Sequence, residues 1–236
     1  MAACPEKPAQ PTKRRERNHD RGEDDKGGRP IAGSRKQIHR NILLPALDSR
    51  HACGVRDVDW MLEQLWGPVV AITAAHDGRS NGLISSTAVT ASLLPEAPRV
   101  VVQLARASLT RELVLASSAF AVNLLPADER GLELFRTLGF RSGHDAAKLE
   151  GVATQPGTLG APILSDAMSY LEARVTQTID VVDLTVVVAD VVAGRRLRDV
   201  PVLTIEHVRE RLPADWLEEW ERRRERELED ARRFRR

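Results

Sequence analysis

Five hydroxyl side chains, Ser85, Ser86, Thr87, Thr90 and Ser92, crowd one short segment, and a cation with two further hydroxyls, Arg106, Ser108 and Thr110, follows it. Hydroxyls both donate and accept hydrogen bonds, so a row of them suits a polar, many-atom ligand. The small and β-branched residues between them, Ala88, Val89 and Ala91 among them, favour extended backbone and allow a flat ligand to come close. Arg106 stands just before a helix start, where free N–H groups and a guanidinium together form a phosphate cradle. Ser108 has a plainer reading as well, as the N-cap that satisfies the N–H groups of Leu109 to Arg111.

The elements that must position these residues are legible on either side. Asp77, Gly78, Ser80, Asn81 and Gly82 carry turn chemistry and predict a hairpin between a buried strand at 69–75 and the hydroxyl segment. Residues 100–104 read as a buried strand, 108–117 as a helix, 119–125 as a strand and 128–138 as a helix. The segment 139–160, rich in Gly and polar residues and containing His144, Asp145 and Lys148, reads as a long loop of the kind that carries function. Two long strands follow at 167–179 and 184–193, with a tight link between them. Tyr170, Glu172, Arg174, Thr176 and Thr178 alternate with Leu171, Ala173, Val175 and Ile179, which puts polar groups on one face. The Val-rich second strand predicts cover on both faces, as in a closed barrel or at a homodimer interface.

The flanks differ in kind. Residues 1–55 have the composition of a disordered tail, with Pro5, Pro8, Pro11, a basic run at 13–15 and a mixed run at 23–26; the apolar patch 42–47 is a candidate docking point on the domain. An amphipathic helix is predicted at 57–66, acidic at its front and stopped by Gly67 and Pro68, and His76 beside the hairpin turn is expected at the surface. The folded domain is assigned to 56–210 and a charged helix to 211–236. That helix starts at Pro213, shows Trp216 and Trp220 on one face, and offers Glu218 with Arg222 and Glu219 with Arg223 at i,i+4.

A chain of 236 residues with 42% hydrophobic residues can bury a sizeable core. Its net charge of +1 makes no electrostatic case for nucleic acid. Cys4 and Cys53 have no second ligand at metal spacing, so a metal site is not expected. Neither a membrane span nor an export signal is read, which leaves the cytoplasm as the expected location. Gly-rich dinucleotide, phosphate-loop, HExxH and GxSxG signatures are all missing. Redox chemistry in such a chain has to come from a cofactor, with the protein contributing binding, orientation and electrostatics.

The uninterrupted run from Asn81 to Leu93, NGLISSTAVTASL, then Arg106 with Ser108 and Thr110, and FAVNLL from Phe120 to Leu125, resembles in that order the flavin reductase-like domains built on an FMN-binding split β-barrel. The resemblance covers residues 57 to 205. It implies a mainly β fold with flanking helices, a homodimer, and FMN as cofactor, with FAD as the alternative. Asn81, Ser86, Thr87, Thr90, Ala91 and Ser92 would then line the ring and ribityl chain, while Arg106, Ser108 and Thr110 hold the phosphate. The implied function is an NAD(P)H-dependent flavin reductase, or the reductase component that serves a monooxygenase partner. One departure favours an alternative: where the family often has a GDH triplet, this chain has Val182, Asp183 and Leu184, and Leu184 can neither donate a hydrogen bond nor change charge. The chain also has Ala88 where the family often has an aromatic. A flavin-binding protein without turnover, acting as a carrier or an interaction module, is therefore the second reading, and no catalytic residue is assigned.

Overall fold

A computed structural model describes residues 61–235; the tail at 1–55, its patch at 42–47, both cysteines and the front of the 57–66 helix lie outside them. Of that helix, residues 61–63 are helical, and Met61, Leu62 and Leu65 are exposed.

Strands β1 (Val70–His76) and β2 (Arg79–Ser85) form the expected hairpin, with His76 opposite Arg79. The two residues between them, Asp77 and Gly78, both have positive φ, at 46° and 74°. This is the conformation that two-residue turns need if the strands are to keep their right-handed twist. His76 lies beside the turn, its Nε2 3.3 Å from Asp77 Oδ2.

The remaining strands are β3 (Val89–Thr90), β4 (Arg99–Ala105), β5 (Ala119–Leu124), β6 (Thr154–Pro156), β7 (Pro162–Leu164), β8 (Ser169–Val181) and β9 (Leu184–Arg196). Seven of them make one antiparallel sheet in the order β2-β1-β5-β8-β9-β4-β3, and β6 pairs with β7 alone. The edge strands β2 and β3 are joined by residues 86–88 only. An extended chain reaches at most about 3.6 Å per residue, so Ser85 and Val89 are within about 14 Å and the sheet must curl until its edges nearly meet. The result is an open barrel whose split carries the hydroxyl segment.

Helix α1 (Leu109–Ser117) gives Leu109, Leu113 and Val114 to a core shared with Val70, Ile72, Val102, Leu104 and Phe120. Helix α2 (Glu129–Gly139), capped by Asp128, covers the other face, where Leu132, Phe135 and Leu138 meet Val69, Ala71, Leu125 and Leu164. Alternate residues of β1 thus serve the two cores, which is why the segment reads as continuously apolar.

Strands β8 and β9 run two to three residues beyond the predicted ends, and their turn is only Val182 and Asp183. Within the single chain Thr185, Val187 and Ala189 of the Val-rich strand are buried, Val186 and Val188 on the other face are half-buried, and Val192 is exposed. The alternation in β8 breaks at a register shift between Glu172 and Ala173, and both are buried. Glu172 Oε2 there accepts the Leu159 N–H at 2.8 Å. A bulge places two successive residues on one side, which a strict period of two cannot foresee.

Helices α3 (Ile205–Arg211) and α4 (Ala214–Arg232) close the chain. Glu218 meets Arg222 at 3.8 Å as the spacing predicts, but Glu219 pairs with Arg136 of α2 and Arg223 with Glu227. Among the described residues no helix is long and apolar enough to cross a membrane.

Candidate flavin and phosphate site

Arg106 leaves the end of β4, whose last residue, Ala105, pairs with Leu184 at the start of β9. The arginine is thereby set against the β8–β9 turn. Its backbone N–H donates to Asp183 O at 2.9 Å and its Nη1 to Val182 O at 2.9 Å, while Nη2 stands 3.7 Å from Asp180 Oδ2. The guanidinium carbon lies 4.5 Å from the centre of the Phe234 ring. Nε is buried and has no protein partner.

A second arginine joins it from the first turn of α1. Arg111 Nε donates to Thr185 Oγ1 at 2.5 Å and Nη2 to Asp180 Oδ1 at 3.1 Å, and the Thr185 hydroxyl donates to the same Asp180 oxygen at 2.6 Å. Donation from Thr185 and then from Arg111, with the charge of both arginines, holds the Asp180 carboxyl below its usual range. Two cations converge here on one exposed carboxylate, which offsets one of the two positive charges.

Ser108 is the N-cap of α1, its Oγ accepting the Arg111 N–H at 3.2 Å. Thr110 lies on the inner side of the same turn, fully buried, and accepts from Asn81 Nδ2 at 2.9 Å. Asn81 is itself buried, and its Oδ1 has no partner. Nearby, His144 reaches over the helix start: its Nε2 is 3.2 Å from Ala107 O and 3.6 Å from Glu112 Oε1.

The hydroxyl segment occupies the split. Ser85 Oγ and Thr87 Oγ1 are 3.0 Å apart, the Thr87 N–H donates to Ser85 Oγ at 3.1 Å, and the Gly67 N–H fixes Ser86 O at 2.8 Å. Ser86 and Thr87 are half-buried; Thr90 and Ala91 are exposed. The Thr90 hydroxyl donates to Ser92 O at 3.3 Å, Ser92 Oγ accepts the Leu94 N–H at 3.1 Å, and the Ala91 N–H donates to Arg99 O at 2.9 Å. Thr90 pairs with Val100, six residues before Arg106 along β4. At about 3.3 Å per residue the two are about 20 Å apart, so Thr90, Ala91 and Ser92 stand at one end of the split and Arg106 with Ser108 at the other.

The structure therefore brings Arg106, Ser108, Thr110 and Asn81 around the start of α1 and leaves Thr90, Ala91 and Ser92 remote from them within the chain. It adds Arg111, Asp180, Thr185 and Phe234, which the sequence did not mark. Arg111 carried a signal, three residues past the cap on a helix start. Among the described residues no group of His, Cys, Asp and Glu is placed to hold a metal ion.

The family model described as flavin reductase like domain matches residues 62–211. The high molecular weight rubredoxin of Moorella thermoacetica is 33% identical over 110 residues, 46% of this chain and 47% of that protein. The ferric-chelate reductase (NAD(P)H) of Archaeoglobus fulgidus is 31% identical over 134 residues, 56% of this chain and 78% of that protein. Among solved structures, the flavin reductase HpaC complexed with NADP+ superposes with a TM-score of 0.52 at 26% identity, over 61% of this chain and 87% of that one. The chain also matches several diflavin flavoproteins, of whose length it spans 30% or less.

Proposed function

Since the chain belongs to the flavin reductase like domain family through residues 62–211, we propose that it binds FMN and reduces it with a nicotinamide donor. The observation that carries this reading is Arg106, with its buried, unpartnered Nε, at the start of α1 and at one end of a split lined by hydroxyls. Hydroxyls, backbone N–H groups and guanidinium are the donors that a ribityl chain and a phosphate need, so the residues fit the cofactor. Bound flavin would supply the hydride and electron chemistry, which no side chain here can perform.

The chain's own residues then have defined tasks. Arg106 binds the phosphate with Ser108, and Arg111 supports its charge from one turn further along α1. Thr110 and Asn81, expected to contact the cofactor directly, are buried and bonded to each other; they act from beneath instead, holding that first turn against β2. Ser86 and Thr87 face the ribityl chain in the split, and Thr90, Ala91 and Ser92 border the ring, by contact across a second copy of the chain. A homodimer is supported by the exposed apolar side chains Ile179 and Val181 at the β8–β9 end and Val89, Leu93 and Leu94 after the split. The purified protein is expected to run near twice 26.2 kDa.

Two experiments test this. Arg106→Ala removes a charge-assisted contact of roughly 1.5 to 3 kcal/mol, so FMN affinity should fall about ten- to a hundredfold. Riboflavin, which has no phosphate, should bind the parent and the variant alike; equal FMN affinity in both proteins would make Arg106 an ordinary surface arginine. Rapid mixing of the loaded protein with NADH or NADPH, followed by flavin absorbance, tests turnover. A colour that persists with both donors would favour the second reading, a flavin carrier without turnover, for which half-buried Leu184 beside Arg106 is the supporting feature.

A further inference from the structure

Helix α4 lies beyond the residues that the family model matches, and it ends at the proposed phosphate site. Its nineteen residues make a rod about 28 Å long. The front end is anchored on α2. There the Arg136 guanidinium stacks 4.3 Å from the Trp216 ring and reaches Glu219 at 3.1 Å, and Phe135 meets Trp220 edge to face at 5.6 Å. The far end is held differently. No residue of α4 is buried, and two residues past its end the ring of half-buried Phe234 has its centre 4.5 Å from the Arg106 guanidinium carbon.

Between the two ends Arg224 lies 6.0 Å from the Trp66 ring and Arg223 meets Glu227 at 3.0 Å. A tip held by one light contact can still open while the rest stays folded, because the free energy of local opening follows the contacts that opening breaks. The contact that would break is a cation–π stack on the arginine that the ligand needs. We propose that the C-terminal segment is a strap over the Arg106 site, with Phe234 as its latch, and that it gates how fast a phosphate-bearing flavin enters and leaves. The proposal rests on the reading of Arg106 as the phosphate residue. A latch that must lift for both passages changes the two rates together and leaves the affinity nearly untouched.

The test is Phe234→Ala in the full chain, with FMN association and dissociation followed by flavin fluorescence after rapid mixing, and amide hydrogen exchange of the last turn of α4 measured without added flavin. Loss of an exposed cation–π contact should speed both association and dissociation about two- to fivefold at nearly constant Kd, and should speed exchange of those amides. Phe234→Tyr, which keeps the ring, should behave as the parent. Unchanged FMN rates or unchanged exchange in Phe234→Ala would overturn the strap. Faster dissociation alone would also overturn it, by making Phe234 a direct contact of the ligand. Arg106→Ala separates the two ideas: parent-like FMN affinity there overturns the phosphate reading, whereas a large loss there with unchanged rates in Phe234→Ala overturns only the strap.

Discussion

Asn81 Nδ2 donates to the Thr110 hydroxyl at 2.9 Å, a bond in the interior that ties the middle of β2 to the first turn of α1. Both residues are buried, and Gly143 lies so close to the Asn81 amide that a Cβ there would stand 2.2 Å from Nδ2. The helix start that carries Arg106 and Ser108 is therefore set by a polar pin beneath it and by the loop packed over that pin.

Removing the pin should loosen the site from below. Thr110→Val keeps the shape but leaves the buried Asn81 amide without its acceptor, at a cost of about 1 to 3 kcal/mol. Urea unfolding should read that loss. Thr110→Ser, which restores the hydroxyl, should recover most of it.

Asp180 competes with any anion for the two arginines, since it contacts Arg111 at 3.1 Å and faces Arg106 at 3.7 Å. Asp180→Asn should raise FMN affinity about two- to tenfold while barely changing stability, because solvent screens exposed ion pairs and leaves them little net effect. Isothermal titration with FMN and riboflavin checks it: the gain should be confined to FMN.

Val182 holds φ at 46°, a left-handed conformation that a β-branched side chain resists. Val182→Gly relieves that strain of about 1 to 2 kcal/mol against an unfolded-state penalty of about 0.5 to 1 kcal/mol, for a net gain of roughly 0.5 to 1 kcal/mol. Thermal melts of parent and variant should show a higher midpoint for the variant.

Lys148 donates to Leu138 O at 2.6 Å from a buried position. Burial, with Arg223 and Arg141 nearby and Glu227 opposing them, lowers its pKa from 10.5 to about 8. Between pH 8 and 10.5 the unfolded chain then binds more protons than the folded one, so this group makes stability rise with pH across that window. The rise should be roughly 2 to 3 kcal/mol in the parent relative to Lys148→Met, read by urea unfolding at pH 7.5, 9 and 10.

The hairpin at Asp77 and Gly78, strands β1, β4 and β5, the cap Ser108 and the tryptophan face of α4 were legible because each follows from local rules. Turn residues, side-chain period and capping act over a few positions. The resemblance added the fold and the chemical class, since the ordered run from Asn81 to Leu93 spans the split itself. The buried Glu172 was out of reach, because one register shift against β9 moves it from the polar to the apolar side. So were the exchange of Arg223 for Arg136 as partner of Glu219 and the company that Arg106 keeps. Asp180, Thr185 and Phe234 come to that corner across 74, 79 and 128 positions of sequence, and only the curling of the sheet and the path of α4 bring them there. Sequence by itself determined the order of donor groups that made Arg106, Ser108 and Thr110 candidates for a phosphate. Tertiary structure decided which of them face one another, because charge and stacking depend on distance in space, and no local pattern encodes that distance.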